Sequence, residues 1–439
     1  MTKKAITTIL LTTFLIFLIS AGCDCDGGTN GDNGNGDENT IKIGLIVPYS
    51  GECGAYGRSA ANAAMLAQQE INDAGGVLGK NIELVIRDSH TDPFNSRYDA
   101  TDLIKNDNVV AILGADNSDV TADIFRGIQD YDVIQITGSS TADMLISLDG
   151  LDKLFSMAGI TYTEALKLAT YLRNDEYEDY DSVALLLYVN DYYGNEFAEA
   201  FSFHFANRLG IVRKTVPFIS GKASYAAEIE SLFTDSTGAR ITDTTLVILA
   251  GYPLSCGQIM QDIRGGGFPA KVWFTMTLKA EEFITFAGSS NVEGCRGIAP
   301  GATPDWPPTA DNEHYEKFRE IYTEHWGEDP YNHRCTEHWY DAVILLGYAI
   351  TAADTNDFTA IHENLRPVVS RPGSLVTVGE FATGKMLIES GDTINYDGAS
   401  SQLGFSQIGV SGGNFFFWQI LDGKIESYNP EAPDTVTKR

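Results

Sequence analysis

Basic residues are scarce in this chain of 439 residues. Lysine and arginine together number 30, against 60 aspartates and glutamates, which gives a formal net charge of -30. A protein this acidic repels phosphate backbones, so nucleic acid is excluded as an expected partner. We interpret the charge as a well-hydrated surface rather than an acidic binding patch.

Catalytic and metal-binding motifs are missing as well. The sequence has no GxSxG elbow, Walker loop or HExxH helix, and Ser118 has no histidine in its predicted turns to activate it. No CxxC or Cys/His spacing suggests zinc. We therefore expect neither an enzyme nor a bound metal or cofactor. Four histidines lie close together in sequence and are expected on a solvated helical surface: His314, His325, His333 and His338.

Long apolar runs are absent except near the start of the chain. Two lysines precede an apolar run over residues 5–19, which is shorter than the roughly 20 residues of a membrane span. The pattern predicts a secretory signal over residues 1–22. Its ending, SAGC, resembles the lipobox of bacterial lipoproteins, with Cys23 lipid-modified, although Ser20 stands where that motif usually has Leu. By analogy with enterobacterial sorting, Asp24 implies the outer face of the inner membrane; anchoring in the outer membrane is the alternative.

The stretch that follows is almost free of apolar residues. Residues 24–40 read DCDGGTNGDNGNGDENT, in which Cys25 is the one exception. Such a segment buries too little apolar surface to offset its ordering entropy, so we expect residues 23–40 to form a flexible tether. Its root-mean-square span would be on the order of 20 to 25 Å.

From Ile41 onwards, short β-rich runs alternate with amphipathic segments. One series of strands and helices fills residues 41–159, and a second begins after Gly159 and continues to about Thr275. Alternation of this kind is typical of parallel sheets flanked by helices, and the chain is too long for one ordinary domain. The sequence therefore predicts an α/β protein with two similar lobes.

One strand, helix and strand unit is central to this interpretation. Residues 109–141 read VVAILGADNSDVTADIFRGIQDYDVIQITGSST, with a hydroxyl-rich turn after each strand. In a parallel sheet both turns fall at the carboxyl edge, where α/β sheets bind ligands. Ser118, Ser139, Ser140 and Thr141 are therefore expected to face one crevice. The alternative is that they only cap helices and close turns.

Several longer segments carry a resemblance to a known family. They read IGLIVPYSGECGAYG, INDAGGVLGKNIELVIRDSHTDP, NDYYGNEFAEAF, AGYPLSCGQIMQ, WYDAVILLGYAI and YDGASSQLGF. In wording and order they resemble the type I periplasmic binding proteins, in particular the solute-binding lipoproteins of branched-chain amino acid and amide ABC transporters. The resemblance extends from about Ile41 to Tyr428.

This resemblance implies two lobes joined by a three-crossover hinge and closing on a ligand. The first lobe would combine residues 41–159 with about 298–412, and the second about 160–297 with 413–439. The crossovers would lie near 157–161, 296–301 and 412–414. The tail, with FFFW and a turn at Asp422-Gly423, is expected to add a strand pair to the second lobe.

The implied function is capture of a small polar ligand, a branched-chain amino acid, a related amino acid or an amide. The ligand would be delivered to an ABC transporter permease by a monomeric protein anchored to the membrane through Cys23. A ligand sensor of the same fold, coupled to a receptor, is the alternative.

Individual positions can be matched to the family's ligand site. Ser118 matches a serine that holds the ligand carboxylate. Ser139 and Thr141 match positions that offer a backbone carbonyl and a hydroxyl to the ammonium.

Three tyrosines and one threonine match positions around the cleft. Tyr193 and Tyr252 match tyrosines that line it, and Tyr56 matches a residue at its mouth. The alternative for each tyrosine is a half-buried packing role. Thr277 falls where the family has an acid that binds the ammonium.

The threonine at that last position leaves two interpretations open, because a buried ammonium without a counter-charge is costly. Either another acid supplies the charge, Asp116 or Asp119, or the ligand is not an α-amino acid. Neutral amides and small carboxylates also suit a hydroxyl-rich site. Glu281 or Glu282 becomes the acid if the alignment is shifted.

Five cysteines remain once Cys23 is lipid-modified, an odd number. Export favours disulfides. The placement of the second crossover and of the following long helix implies a Cys295–Cys335 pair.

Overall fold

The computed structural model describes residues 39–430, apart from short gaps at 149–151, 178, 243–245, 269, 302–309, 401–402 and 412–413. The expected signal, the lipidation residue Cys23 and all but the end of the expected tether lie outside the described residues. So does most of the expected third crossover, near 412–414.

The first sheet is entirely parallel, with the strand order β2–β1–β3–β4–β5. Strands β3 and β4 are short and buried on both faces, as expected for a parallel sheet covered by helices on each side. The elements are β1 (Thr40–Val47), α1 (Gly57–Asp73), β2 (Asn81–Asp88), α2 (Pro93–Lys105), β3 (Ala111–Gly114), α3 (Ser118–Ile128), β4 (Ile134–Thr137), α4 (Met144–Leu148) and β5 (Leu154–Ser156).

The second sheet has the order β14–β13–β10–β9–β8–β6–β7. Strands β6 to β10 are parallel, and β13 and β14 form the expected antiparallel pair at the end of the chain. The elements are α5 (Thr161–Leu172), β6 (Val183–Val189), α6 (Tyr192–Asn207), β7 (Ile211–Phe218), α7 (Ala226–Leu232), β8 (Leu246–Ala250), α8 (Pro253–Gly265), β9 (Lys271–Phe274), α9 (Glu281–Ala287), α10 (Ser289–Val292), β10 (Arg296–Pro300), β13 (Phe415–Leu421) and β14 (Lys424–Tyr428).

The chain returns to the first sheet after β10. Helix α12 is buried along almost its whole length and packs against α1. One hydrophobic core continues from the strands of the first sheet through α12 to those of the second. The elements of this region are α11 (Ala310–Trp326), α12 (Thr336–Ala353), α13 (Phe358–Leu365), β11 (Ser374–Val376), α14 (Phe381–Glu389) and β12 (Ile394–Tyr396). The α/β fold with two parallel-sheet lobes is thus confirmed.

The expected Cys295–Cys335 disulfide is wrong, because both cysteines are free and buried. Cys295 lies at the amino end of β10, whereas a Cβ on Gly301, just past the other end of the strand, would touch the Glu337 carboxylate in the first turn of α12. The five residues of β10 span about 16 Å, and a disulfide needs Cα atoms within about 7 Å. Cys53 and Cys256 are free as well.

The expectation of a solvated surface is wrong for His338. This side chain is buried on α12 and its Nδ1 lies 3.0 Å from the carbonyl oxygen of Gly138. Burial lowers the pKa of His338 to about 3, so the ring is neutral. The sequence did not reveal this, because the first turns of α12 carry polar residues, as a solvated helix would, and yet are buried on every side.

Candidate ligand-binding site

The two hydroxyl-rich turns of the first sheet lie side by side, as the parallel pairing of β3 and β4 requires. The Ser118 hydroxyl accepts a hydrogen bond of 3.2 Å from the backbone N–H of Ala142. Helix α3 is capped by Asn117, whose side chain accepts from the backbone of Asp119 and Val120. Asn117 is therefore the N-cap of α3, and Ser118, buried in the first turn, does not cap the helix.

The two serines of the second turn have different surroundings. The Ser139 hydroxyl donates to the Asp116 carboxylate at 2.7 Å. The Ser140 hydroxyl lies 2.6 Å from that of Thr121 on α3, inside the first lobe. A Cβ on the preceding Gly138 would lie 2.6 Å from the indole of Trp339, so this turn can pack against α12 only with glycine there.

Thr141 lies between the first sheet and α5, the helix with which the second lobe begins. Its hydroxyl lies 3.0 Å from that of Thr161, the first residue of α5, and 3.8 Å from the sulfur of Met276. Its carbonyl also accepts from the Thr161 N–H at 2.7 Å. This side chain therefore lies where the two lobes meet, and it is buried.

Tyr56 and Thr277 come together across the lobes. The Tyr56 hydroxyl, on the loop after β1, donates to the backbone carbonyl of Thr277, in the 3₁₀ turn after β9. The Thr277 hydroxyl lies 3.0 Å from that of Thr275. Both Tyr56 and Thr277 are buried, so these lobes are closed on each other at this point.

Asp116 has a counter-charge of its own within the first lobe. The Arg334 guanidinium lies 2.5 Å from the Asp116 carboxylate and 4.2 Å from the centre of the Tyr56 ring. Burial raises the pKa of Asp116, and the nearby Arg334 opposes that rise. Sequence analysis did not find Arg334, because its partner lies 218 residues away.

The other candidate acids lie at the edge of the cleft. Asp119 accepts from the Tyr192 N–H at 3.2 Å, which joins α3 to α6. Glu282 is 2.8 Å from the His333 ring, and Glu281 accepts from Asn332 at 3.1 Å. All three stabilise contacts between the lobes.

Tyr252 lies between two polar groups from different lobes. Its hydroxyl donates to the Asp191 carboxylate at 2.6 Å and accepts from the side-chain amide of Asn117. Asp191 also caps α6 by accepting from the Gly194 N–H. Burial raises the pKa of Asp191 to about 6, although these hydrogen bonds favour its charged form.

Tyr193 leads to an acid that sequence analysis missed. The Tyr193 hydroxyl donates to the Glu164 carboxylate at 3.1 Å, and the Met276 N–H donates to its other oxygen at 2.7 Å. Glu164 is fully buried in the first turn of α5, and burial raises its pKa to about 8. In sequence, Thr161 and Glu164 have the spacing of a capping box, which suggests a bond to their own helix. Only the tertiary fold brings the turn after β9 close enough for the Met276 N–H to donate to that carboxylate instead.

Three acids lie in the closed cleft, and one of them has a basic partner. Asp116 and Glu164 are buried and Asp191 is half-buried. Of the three, only Asp116 has an arginine or lysine within ion-pair distance among the described residues, and that partner is Arg334. Glu164 and Asp191 are therefore available to pair with a positively charged group.

A separate cavity of about 680 Å³ lies between α1, α11 and α14, away from these hydroxyls. Its half-buried acid, Glu70, already accepts from the Tyr340 hydroxyl and from the Phe381 N–H. This cavity shares no residue with the hydroxyl-rich turns.

The part of the chain that the structure describes has no helix that is both long and apolar enough to cross a membrane.

The chain matches the model of a known family. The periplasmic binding protein family model matches residues 40–381. The chemotactic signal transduction system substrate-binding protein BasB of Halobacterium salinarum is 23% identical over 394 residues, which cover 88% of each chain. The amino acid binding protein of Pseudomonas aeruginosa is 26% identical over 322 residues, covering 72% of this chain and 80% of that protein.

Solved structures show the same fold. The branched-chain amino acid transporter substrate binding protein LivJ of Streptococcus pneumoniae, in complex with isoleucine, superposes with a TM-score of 0.72 at 22% identity, covering 88% of this chain and 98% of that one. The leucine binding protein LivK of Thermotoga maritima gives 0.73 at 20% identity, covering 89% and 98%.

Proposed function

This chain belongs to the type I periplasmic binding protein family, and from that premise we propose that it captures an amino-acid-like ligand in the cleft between its lobes. Proteins of this family bind solutes and are not enzymes. The observation that carries the proposal is the burial of Ser118, Ser139 and Thr141 on adjacent turns at one edge of the first sheet. From there Thr141 contacts Thr161 and Met276 of the second lobe.

Closure on the ligand follows from the contacts between lobes. Tyr56 bonds to Thr277 and Asn117 to Tyr252, each across the cleft. These two hydrogen bonds join neutral groups, and each stabilises the closed form by about 1 kcal/mol. A ligand that bonds to both lobes adds to them, so it shifts the population towards the closed form.

The charge of the cleft narrows the ligand class. Glu164 and Asp191 have no arginine or lysine within ion-pair distance among the described residues, so a ligand with an amine gains a partner in the cleft that a small carboxylate without an amine does not. Amino acids and amides remain. Relatives that bear the names Leu/Ile/Val-binding protein and amino acid binding protein support the amino acid.

We place the protein outside the cytoplasm, as the family implies, and propose a lipid anchor at Cys23 followed by a tether over 23–40. The first lobe would comprise 41–159 with about 298–412, and the second about 160–297 with 413–439. Delivery to an ABC transporter permease by a monomer completes the proposal.

A second candidate is a ligand sensor of the same fold that reports to a receptor. The match to a chemotactic substrate-binding protein over 88% of the chain favours it. A gene neighbourhood with permease and ATPase genes supports transport, and a neighbouring receptor gene supports sensing.

Isothermal titration calorimetry with the purified mature chain tests ligand capture. The panel contains L-leucine, L-alanine, L-phenylalanine, L-glutamate, the amide of leucine and the 2-hydroxy acids that match the four amino acids. Saturable one-to-one binding of at least one compound is expected, with a rise in melting temperature. If no member binds, the proposed function is wrong.

A further inference from the structure

Glu164 is a carboxylate in an unusual position for a group that serves only the fold. It is fully buried, and both groups that donate to it, the Tyr193 hydroxyl and the Met276 N–H, are neutral. Among the described residues, no cation lies within ion-pair distance of it. Burying a carboxyl group is costly unless something compensates its charge.

The residues around Glu164 are those of the candidate ligand site. Met276, whose N–H it accepts, also touches the Thr141 hydroxyl through its sulfur at 3.8 Å. Tyr193, which donates to Glu164, also reaches the hydroxyls of Thr275 and Thr277. Glu164, on α5, thus lies close to the turn after β9. In that turn Thr277 stands where the family has the acid that binds the ammonium.

Few other groups determine the charge of this carboxylate. Tyr193 on α6 is neutral because burial raises its pKa well above its ordinary value. Arg334, before α12, acts on Glu164 from beyond contact distance and is paired with Asp116. Glu164 is therefore the group in this cluster that is free to change its protonation when a cation arrives.

We propose that Glu164 is the acid that binds the ligand's ammonium group, so that the ligand carries a protonated amine and its binding releases a proton. This inference rests on the proposed function. The empty cleft holds the neutral carboxylic acid; on binding, the O–H bond breaks, the proton leaves to solvent, and the carboxylate pairs with the ammonium. Burial, which raises the pKa of Glu164 to about 8, supports the neutral form in the empty cleft.

The wild-type protein gives the first test. Titrating the amino acid that binds, in buffers of different ionisation enthalpy, should show release of close to one proton at pH 7. The apparent affinity should rise about tenfold per pH unit below pH 8 and level off above it. This measurement needs no variant to fold.

Glu164→Gln gives the second test. It resembles the neutral acid in shape, so it should fold, but it cannot ionise. At pH 8.5 it should bind the amino acid at least about tenfold more weakly than wild type, with no proton release, since the charged hydrogen bond is lost. The matched control Glu324→Gln, exposed on α11, should bind and release protons as wild type does.

The panel separates failure of this inference from failure of the proposed function. Binding of an amino acid with no proton release and no loss in Glu164→Gln overturns the inference and leaves solute capture intact. So does binding of the 2-hydroxy acids in preference to the amines. Absence of binding by any member overturns both.

Discussion

The side-chain amide of Asn117 donates a hydrogen bond to the hydroxyl of Tyr252, and this bond joins the first lobe to the second. Asn117 simultaneously caps α3 with its carbonyl oxygen, so the cap of a first-lobe helix also carries a contact between lobes. Tyr252 in turn donates to Asp191, the cap of α6. Two helix ends are thereby aligned by one tyrosine.

Tyr252→Phe should therefore weaken closure. It leaves the Asn117 amide and the Asp191 carboxylate without their shared partner, which costs about 1 to 3 kcal/mol where the groups stay buried. Ligand affinity should fall by about tenfold or more, and small-angle scattering of the unliganded protein should show a larger radius of gyration. Tyr162→Phe, exposed on α5, serves as the control. Equal affinity in Tyr252→Phe and wild type would contradict a role in closure.

Ser118→Ala and Thr141→Ala test the hydroxyl-rich turns directly. Each removes a buried hydroxyl that we assign to the ligand, so each should weaken binding by at least about 1 kcal/mol, or roughly fivefold. Calorimetry measures the change. Ser147→Ala on α4 is exposed and should have no effect. Unchanged affinity in both site variants would remove these turns from the ligand site.

The buried pair of Asp116 and Arg334 leads to a prediction on stability. Arg334→Met leaves Asp116 buried without its cation, and the free energy of unfolding should fall by about 3 to 5 kcal/mol in urea denaturation. The control is Arg58→Met, which breaks an exposed pair with Glu328 and should cost less than about 1 kcal/mol. A double variant, Asp116→Asn with Arg334→Met, should recover part of the loss. Equal losses in the two single arginine variants would show that the buried pair contributes nothing special.

Glu164 gives the unliganded protein a predictable pH dependence. Its pKa rises from an ordinary 4.5 to about 8 in the folded state, so the folded protein holds that proton more tightly than the unfolded chain. The resulting stability is fully present below about pH 4.5 and is lost as the pH rises through 8. Glu164→Gln should match wild type in chemical denaturation near pH 5 and exceed it near pH 9. A variant that is less stable than wild type at pH 9 would contradict the assigned shift.

Local patterns were enough for most of the secondary structure. The predicted strand, helix and strand unit within 109–141 is found as β3, α3 and β4. The tail strands around the turn at Asp422-Gly423 are also confirmed. These features depend on side-chain periodicity and turn residues within a few positions of one another, which is what a sequence displays.

Partners that lie far apart along the chain were not predictable in the same way. Arg334 is 218 residues from Asp116, and Glu164 reaches Met276 at a separation of 112. The Cys295–Cys335 disulfide was a wrong prediction of this kind, because it assumed that two elements meet at the same end of β10.

By itself the sequence determined the α/β class, the βα order and the hydroxyl-rich turns at 118 and 139–141, since strands, helices and turns follow local preferences. Only the tertiary structure decided how the site is charged. Whether Asp116 is available to a ligand depends on Arg334, and whether Glu164 faces its own helix or the turn after β9 depends on how α5 packs against the second sheet. Those outcomes depend on burial and on distances between elements, and no short stretch of residues determines either quantity.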